Sequence, residues 1–193
     1  MDFSAWLDST FANFDYSILT IFSYFQSNYL NDFAEVITFF GSPIYTKLMM
    51  GMGLFLCLFK KTRKLGLALF IALVFGTIVT NGILKPLVMR PRPYMTYVND
   101  KLYEWYMAAG AHIESRRSFP SGHTTVAFEI STVLFLNFKN KWRWFFPVFA
   151  LLVAMTRLYF MVHYPTDVIV GMFIGILVGC IGFLITKKIK ILH

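Results

Sequence analysis

The sequence predicts an all-α, polytopic bundle of membrane-spanning helices. Three observations point there. Hydrophobic residues make up 57% of the 193 and charged residues only 15%, where a soluble domain carries roughly a quarter charged. Apolar runs long enough to cross a bilayer alternate with short polar breaks. The basic residues fall largely in clusters at those breaks, so the formal charge of +8 reads as a topology signal rather than a nucleic-acid footprint. The expected partner is the lipid bilayer, with no nucleic acid and no obligate protein partner. The length suits a single domain.

The first 42 residues are aromatic but interrupted by Asp8, Asp15, Asp32 and Glu35. A span needs about 20 mostly apolar residues, so this region reads as one or two interfacial helices, with a sixth span as the alternative. Gly41-Ser42-Pro43 breaks the chain. From there residues 43–193 form the core. Pro43 to Phe59 is the first clear span, with Lys47 turned outward to snorkel. Lys60 to Lys64 is a basic turn, and Leu65 to Leu84 is the second span. Lys85-Pro86 ends it, because proline removes a donor and restrains the residue before it. Residues 85–119 form one long outer loop. Ser121 to Leu136, Trp144 to about Met161 and Val168 to Thr186 complete five spans. Lys139, Lys141 and Arg143 mark the next basic turn, and Lys187, Lys188 and Lys190 the last.

Basic turns mark the cytoplasmic side. Alternation puts residues 60–64, 139–143 and 187–190 on that side, with the C-terminus. Lys85 to Pro93, Pro120 to His123 and Arg157 to Asp167 then all meet on the opposite, extracytoplasmic face.

These three stretches carry the chemistry. His163 precedes Pro165, which fits the first turn of a helix. Asp167 lies four residues after His163, close enough for its carboxylate to fix the imidazole tautomer and leave the other nitrogen as a nucleophile or base. An interfacial histidine beside a capping aspartate is the plainer reading. Pro120-Ser121-Gly122-His123 reads as a helix start with Ser121 at the N-cap. Gly122 would admit an anion to the free amides, and His123 could move a proton. Lys85, Arg92 and Arg157 supply fixed positive charge suited to phosphate oxygens. Arginine near hydrocarbon is costly unless paired or wet. The outer loop holds Asp100, Glu104 and Glu114 without metal-ligand spacing, and a two-metal site would need more carboxylates. No metal and no cofactor is expected.

Taken together, Lys85 followed by six residues and Arg92-Pro93, then Pro120-Ser121-Gly122-His123, then Arg157, His163 and Asp167 resemble the three-part signature of the type 2 phosphatidic acid phosphatases. The wider superfamily includes soluble acid phosphatases and vanadium haloperoxidases. Thr156 stands where that family usually has serine. Arg90-Pro91 is a second Arg-Pro, and the six-residue spacing favours Arg92. The resemblance implies a membrane lipid phosphatase acting through a phosphohistidine. In it, His163 is the nucleophile, Asp167 its orienter and His123 the proton donor to the leaving group. Lys85, Arg92, Ser121, Gly122 and Arg157 hold the phosphoryl oxygens. The residues alone do not choose His163 over His123 as nucleophile. Arg90, Arg116, Arg117 and Glu129 are possible substrate contacts, with a bond from Glu129 to Asn81 as the structural alternative.

The expected substrate is a lipid phosphate, with undecaprenyl pyrophosphate first and phosphatidylglycerophosphate or phosphatidate as alternatives. A lipid phosphotransferase and an inactive membrane protein are the readings of other classes.

Overall fold

The computed structural model describes residues 2–189, so Lys190 of the last basic cluster lies outside the described residues. All regular elements among the described residues are helical. Helix α1 (Phe3–Ser23) is capped by the Asp2 carboxylate, which accepts from the Ala5 amide at 2.7 Å. Helix α2 (Asn28–Thr38) is capped by Ser27. Helix α3 (Pro43–Cys57) starts at Ser42, with Pro43 in the first turn, where its missing donor costs nothing.

Helix α4 (Arg63–Thr77) does not end before Pro86. It runs through a π-helical turn, Ile78–Leu84, into α5 (Lys85–Val88). The Lys85 amide reaches back to the Thr80 carbonyl. The expectation of a span ending at Lys85-Pro86 is therefore corrected. A proline ring clashes with the carbonyl four residues earlier in a tight α-turn, and the wider turn relieves that clash while the helix continues. Lys85 consequently sits on a helix and not on a loop. Met89, at φ 50°, ends the run in the left-handed conformation.

The outer segment folds into two short helices, α6 (Pro93–Thr96) and α7 (Lys101–Ala108). Three long helices follow: α8 (Gly122–Asn137), α9 (Phe145–Tyr159) and α10 (Pro165–Lys188). Helical structure thus lies over each of the five predicted spans. Among the described residues two stretches, Arg63–Thr96 and Pro165–Lys188, are long and apolar enough to cross a membrane.

Helix α8 is the centre, with α4, α9 and α10 around it. Its close approach to α10 rests on glycines spaced four apart. A Cβ on Gly171, Gly175 or Gly179 would come within 2.7 Å or less of atoms of α8 or of Ser121 just before it. Small residues on one helix face let backbones meet closely where no water drives association. Apolar cores fill the other faces, with Leu69, Leu73, Val133 and Val178 between α4, α8 and α10, and Ala150 and Val153 against Phe128.

Helix α1 touches the bundle at one end. Leu7 packs on Val88 and Phe119. Leu19 joins a cluster with residues 158–162, Tyr164, and Leu102 and Tyr106 of α7. Its outer face keeps Phe3, Trp6, Phe14 and Ile21 exposed. All of these partners lie at the end of the bundle that carries the histidines.

Candidate active site

The link between α9 and α10 delivers the first histidine. Met161 takes a left-handed conformation, φ 54°, uncommon for a residue with a side chain. It turns the chain inward so that residues 160–164 are all buried. Helix α10 then starts at Pro165, with Tyr164 at its N-cap and Asp167 in its first turn. Asp167 Oδ2 accepts from the Tyr164 amide at 3.0 Å and lies 3.4 Å from His163 Nδ1.

That contact assigns the Nδ1 proton toward the carboxylate and makes Nε2 the lone-pair nitrogen, which here accepts from Arg92. Arg92 Nη1 stands 3.2 Å from Nε2. Burial, and then the guanidinium charges of Arg92 and Arg157, hold the His163 pKa well below the usual histidine value. The ring is neutral, as a nitrogen nucleophile must be.

Arg92 is itself locked. Nη1 also donates to the Val162 carbonyl at 2.6 Å, and Nε donates to the Ser115 carbonyl. Arg157, on the last turn of α9, donates from Nη1 to Thr38 Oγ1 at 2.6 Å and from Nη2 to Glu114 Oε1. Its Nε is buried without a partner. Glu114 Oε2 lies 3.7 Å from Arg92 Nη2. One loop carboxylate thus bridges two arginines, with its oxygens where an anion of similar size would put its own.

Helix α8 begins at Gly122, with Ser121 at the N-cap position, but the Ser121 hydroxyl makes no capping bond. It accepts from the Thr124 hydroxyl at 2.9 Å, while the Ser121 amide donates to the Asp167 carbonyl at 3.1 Å. The first turn of α8 is thereby tied to the first turn of α10. A Cβ at Gly122 would lie 3.6 Å from Lys85 Nζ and 3.8 Å from Asn81 Oδ1, so Lys85 and Asn81 face the start of α8. His123 is backed by Gly41, where a Cβ would come 2.8 Å from the His123 carbonyl. Lys85, Gly122, His123, Glu114 and Asn81 line a cavity of about 530 Å³ that extends past Thr46, Lys47 and Met50 of α3.

Several expectations are corrected. Arg90 is not a substrate contact: it is 1% exposed and its guanidinium is spent on three carboxylates, those of Asp8, Asp15 and Asp167. The expectation for Arg116 and Arg117 is not corrected: both are exposed on the loop before Pro120, outside the cavity lining. Glu129 is fully buried but forms no bond to Asn81. Both of its oxygens lack a hydrogen-bond partner, and they press on Gly76 of α4, where a Cβ would overlap Oε1. Lys47 is exposed and also stands on the cavity wall. His112 is half-buried, with its ring 4.0 Å from that of Phe160. Sequence alone assigned no place in the site to Asp8, Asp15, Thr166, Glu114 or Ser115, and named Asn81 only as a partner of Glu129. Only the outer-loop acids gave a local signal, and it was read for metal binding alone.

The chain is similar to known membrane phosphatases. The undecaprenyl-diphosphatase of Sulfolobus acidocaldarius is 34% identical over 121 residues, covering 62% of this chain and 54% of that protein. Phosphatidylglycerophosphatase B of Bacillus subtilis is 31% identical over 176 residues, covering 84% of this chain and 78% of that protein. The chain therefore spans between about half and three quarters of the lengths of these two relatives. In fold it matches the crystal structure of a transmembrane PAP2-type phosphatidylglycerolphosphate phosphatase from Bacillus subtilis. The TM-score is 0.77 and the identity 23%, over 97% of this chain and 92% of that one. Residues 61–191 match the model of the PAP2 superfamily, and the chain belongs to that superfamily.

Proposed function

We propose that this protein removes the terminal phosphate from a membrane lipid through a phosphohistidine on His163. The observation that carries the reading is the state of His163: buried, neutral, oriented through Nδ1 by Asp167, with Nε2 facing a guanidinium. In the first step the Nε2 lone pair attacks phosphorus, the bond to the leaving oxygen breaks, and His123 gives that oxygen a proton. In the second step His123 takes a proton from water, the water oxygen attacks phosphorus, and the nitrogen–phosphorus bond breaks. Lys85, Arg92, Arg157, the Ser121 hydroxyl and the Gly122 amide hold the phosphoryl oxygens and their growing charge. Arg157 Nε is a buried donor still open for one of them. Glu114 leaves when phosphate enters, since both cannot occupy the same arginines.

The cavity supports a lipid diphosphate as substrate. Because His123 serves the leaving group, that group lies in the cavity lined by His123, whose wall offers Lys85 and, beyond it, Thr46, Lys47, Thr77 and Asn81, while His163, Arg92 and Arg157 lie outside its lining. A leaving group that is itself a phosphate meets a cation there in Lys47. A relative named undecaprenyl-diphosphatase accords with this choice. In this reading the five core helices span the bilayer, α1 lies at the interface, and the site opens on the extracytoplasmic face.

Phosphate release by purified protein in detergent tests the reading, with undecaprenyl diphosphate, phosphatidylglycerophosphate and phosphatidate offered separately in excess EDTA. Release should survive EDTA, be fastest with the diphosphate and vanish in His163→Ala. Release that needs a divalent cation, or that persists in the variant, contradicts it.

A further inference from the structure

We infer that Asp15 and Asp8 of α1 are positioning residues for the His163–Asp167 dyad, acting through Arg90. This makes the N-terminal helix part of the catalytic apparatus. The inference rests on His163 being the nucleophile, as proposed above. Both aspartates lie outside the stretch matched by the superfamily model, 61–191.

The contacts form an unbroken chain. Arg90 Nη1 donates to Asp167 Oδ1 at 2.7 Å, Nη2 to Asp15 Oδ2 at 2.9 Å and Nε to Asp8 Oδ1 at 2.8 Å. Asp15 also accepts from the Thr166 amide at 3.0 Å and from the Thr166 hydroxyl at 2.8 Å. That same hydroxyl accepts from Arg90 Nη1 at 2.7 Å. The guanidinium carbon sits 3.7 Å from the centre of the Tyr164 ring. Asp15 is 1% exposed and Asp167 is 0% exposed, so water screens neither of these two carboxylates, while the Asp8 side chain is 33% exposed.

Two consequences follow for the dyad. The first is geometric. Arg90 occupies Asp167 Oδ1, which leaves Oδ2 for His163 and the Tyr164 amide. A carboxylate held at both oxygens cannot swing away from the imidazole. The second is electrostatic. As Nε2 bonds to phosphorus, the imidazole becomes cationic, and a negative Asp167 favours that change. Arg90 alone would cancel the Asp167 charge. Asp8 and Asp15 offset Arg90, so three carboxylates share one guanidinium and its charge is not spent on Asp167 alone. Truncating one member of a buried charge network leaves the others uncompensated, which is why α1 cannot be a passive cover.

The phosphate cradle is built from other residues, Lys85, Arg92 and Arg157, so anion binding and nucleophile activation separate by experiment. Asp15→Asn keeps the shape and removes the charge. In the full-length protein it should lower kcat on undecaprenyl diphosphate at least tenfold. The inhibition constant of inorganic vanadate, a phosphate mimic that reads the cradle, should stay within twofold. Asp15→Glu should recover part of the loss. If Asp15→Asn does not fold, Asp8→Asn carries the same test with a smaller fall in kcat, since its carboxylate is partly exposed and touches Arg90 only through Nε. Unchanged kcat overturns the inference. So does a variant in which kcat, vanadate inhibition and melting temperature fall together, because that marks a structural role alone. Wild-type protein that releases no phosphate but binds vanadate points instead to failure of the hydrolase reading, and overturns both.

Discussion

On the Asp167 side of His163, every charged group has a partner. Arg90 is met by three carboxylates, Asp15 by Arg90 and Thr166, and Asp167 by Arg90, Tyr164 and His163. On the Arg157 side the arginines outnumber the acids. One loop carboxylate, Glu114, serves both Arg92 and Arg157, and Arg157 Nε has no partner at all. The contrast separates two tasks. A saturated network holds a side chain still, because each bond it could trade is already made. An under-satisfied cluster of cations stores affinity for an anion that is not part of the chain. Substitutions on the first side should slow chemistry without weakening phosphate binding. Those on the second should weaken both.

The largest break in that comparison is Arg157→Ala. Removing one donor to the developing charge costs about 10²–10³-fold in kcat, and here vanadate inhibition should weaken as well, unlike in Asp15→Asn. Steady-state kinetics with vanadate titration checks both. A smaller effect belongs to Lys47→Met. It should lower kcat/KM for undecaprenyl diphosphate by about tenfold, the scale of one charge-assisted hydrogen bond. Undecaprenyl monophosphate, whose leaving group carries no phosphate, should change little. Parallel rates on the two lipids read this out, and an equal loss on both removes Lys47 from the leaving-group site. Smallest of all is Arg116→Ala with Arg117→Ala. These residues are exposed and outside the cavity, so activity in detergent should stay within about twofold, as surface changes commonly do.

His163 also predicts a pH signature of stability. Its folded-state pKa is held well below the ordinary value by burial and by Arg92 and Arg157. The unfolded chain therefore binds a proton below about pH 6.5 that the folded chain does not. The stabilisation is complete above that pH and declines as pH falls through it. His163→Asn should show a flatter fall in melting temperature between pH 7 and pH 5 than the wild type. Matched curves contradict the neutral, buried assignment.

What the sequence made legible follows from distance along the chain. The His163–Asp167 contact spans four residues and depends on Pro165 opening a helix, so local rules reach it. Gly122 and His123 open α8 for the same reason. The apolar runs located the long helices, because burial in lipid leaves a plain mark on composition. Asp8 and Asp15 meet Arg90 across 82 and 75 residues. In sequence they look only like flaws in an aromatic helix. Arg90 looked available for substrate because nothing local showed that its charge was already matched. The helix running through Pro86 depends on a π-turn, which the proline rule does not anticipate. Glu129 reads either as a substrate contact or as a partner of Asn81, and the structure shows a buried carboxyl against Gly76 with no hydrogen-bond partner, so the bond to Asn81 is not made.

The measurement closest to the central claim is a phosphoenzyme trap. Protein mixed with undecaprenyl diphosphate labelled in its terminal phosphate would be quenched in alkali within one turnover, digested and mapped. The account predicts an acid-labile, alkali-stable label on the peptide carrying His163, present in wild type and absent from His163→Asn. Label on His123, or turnover with no labelled protein at any quench time, would contradict it.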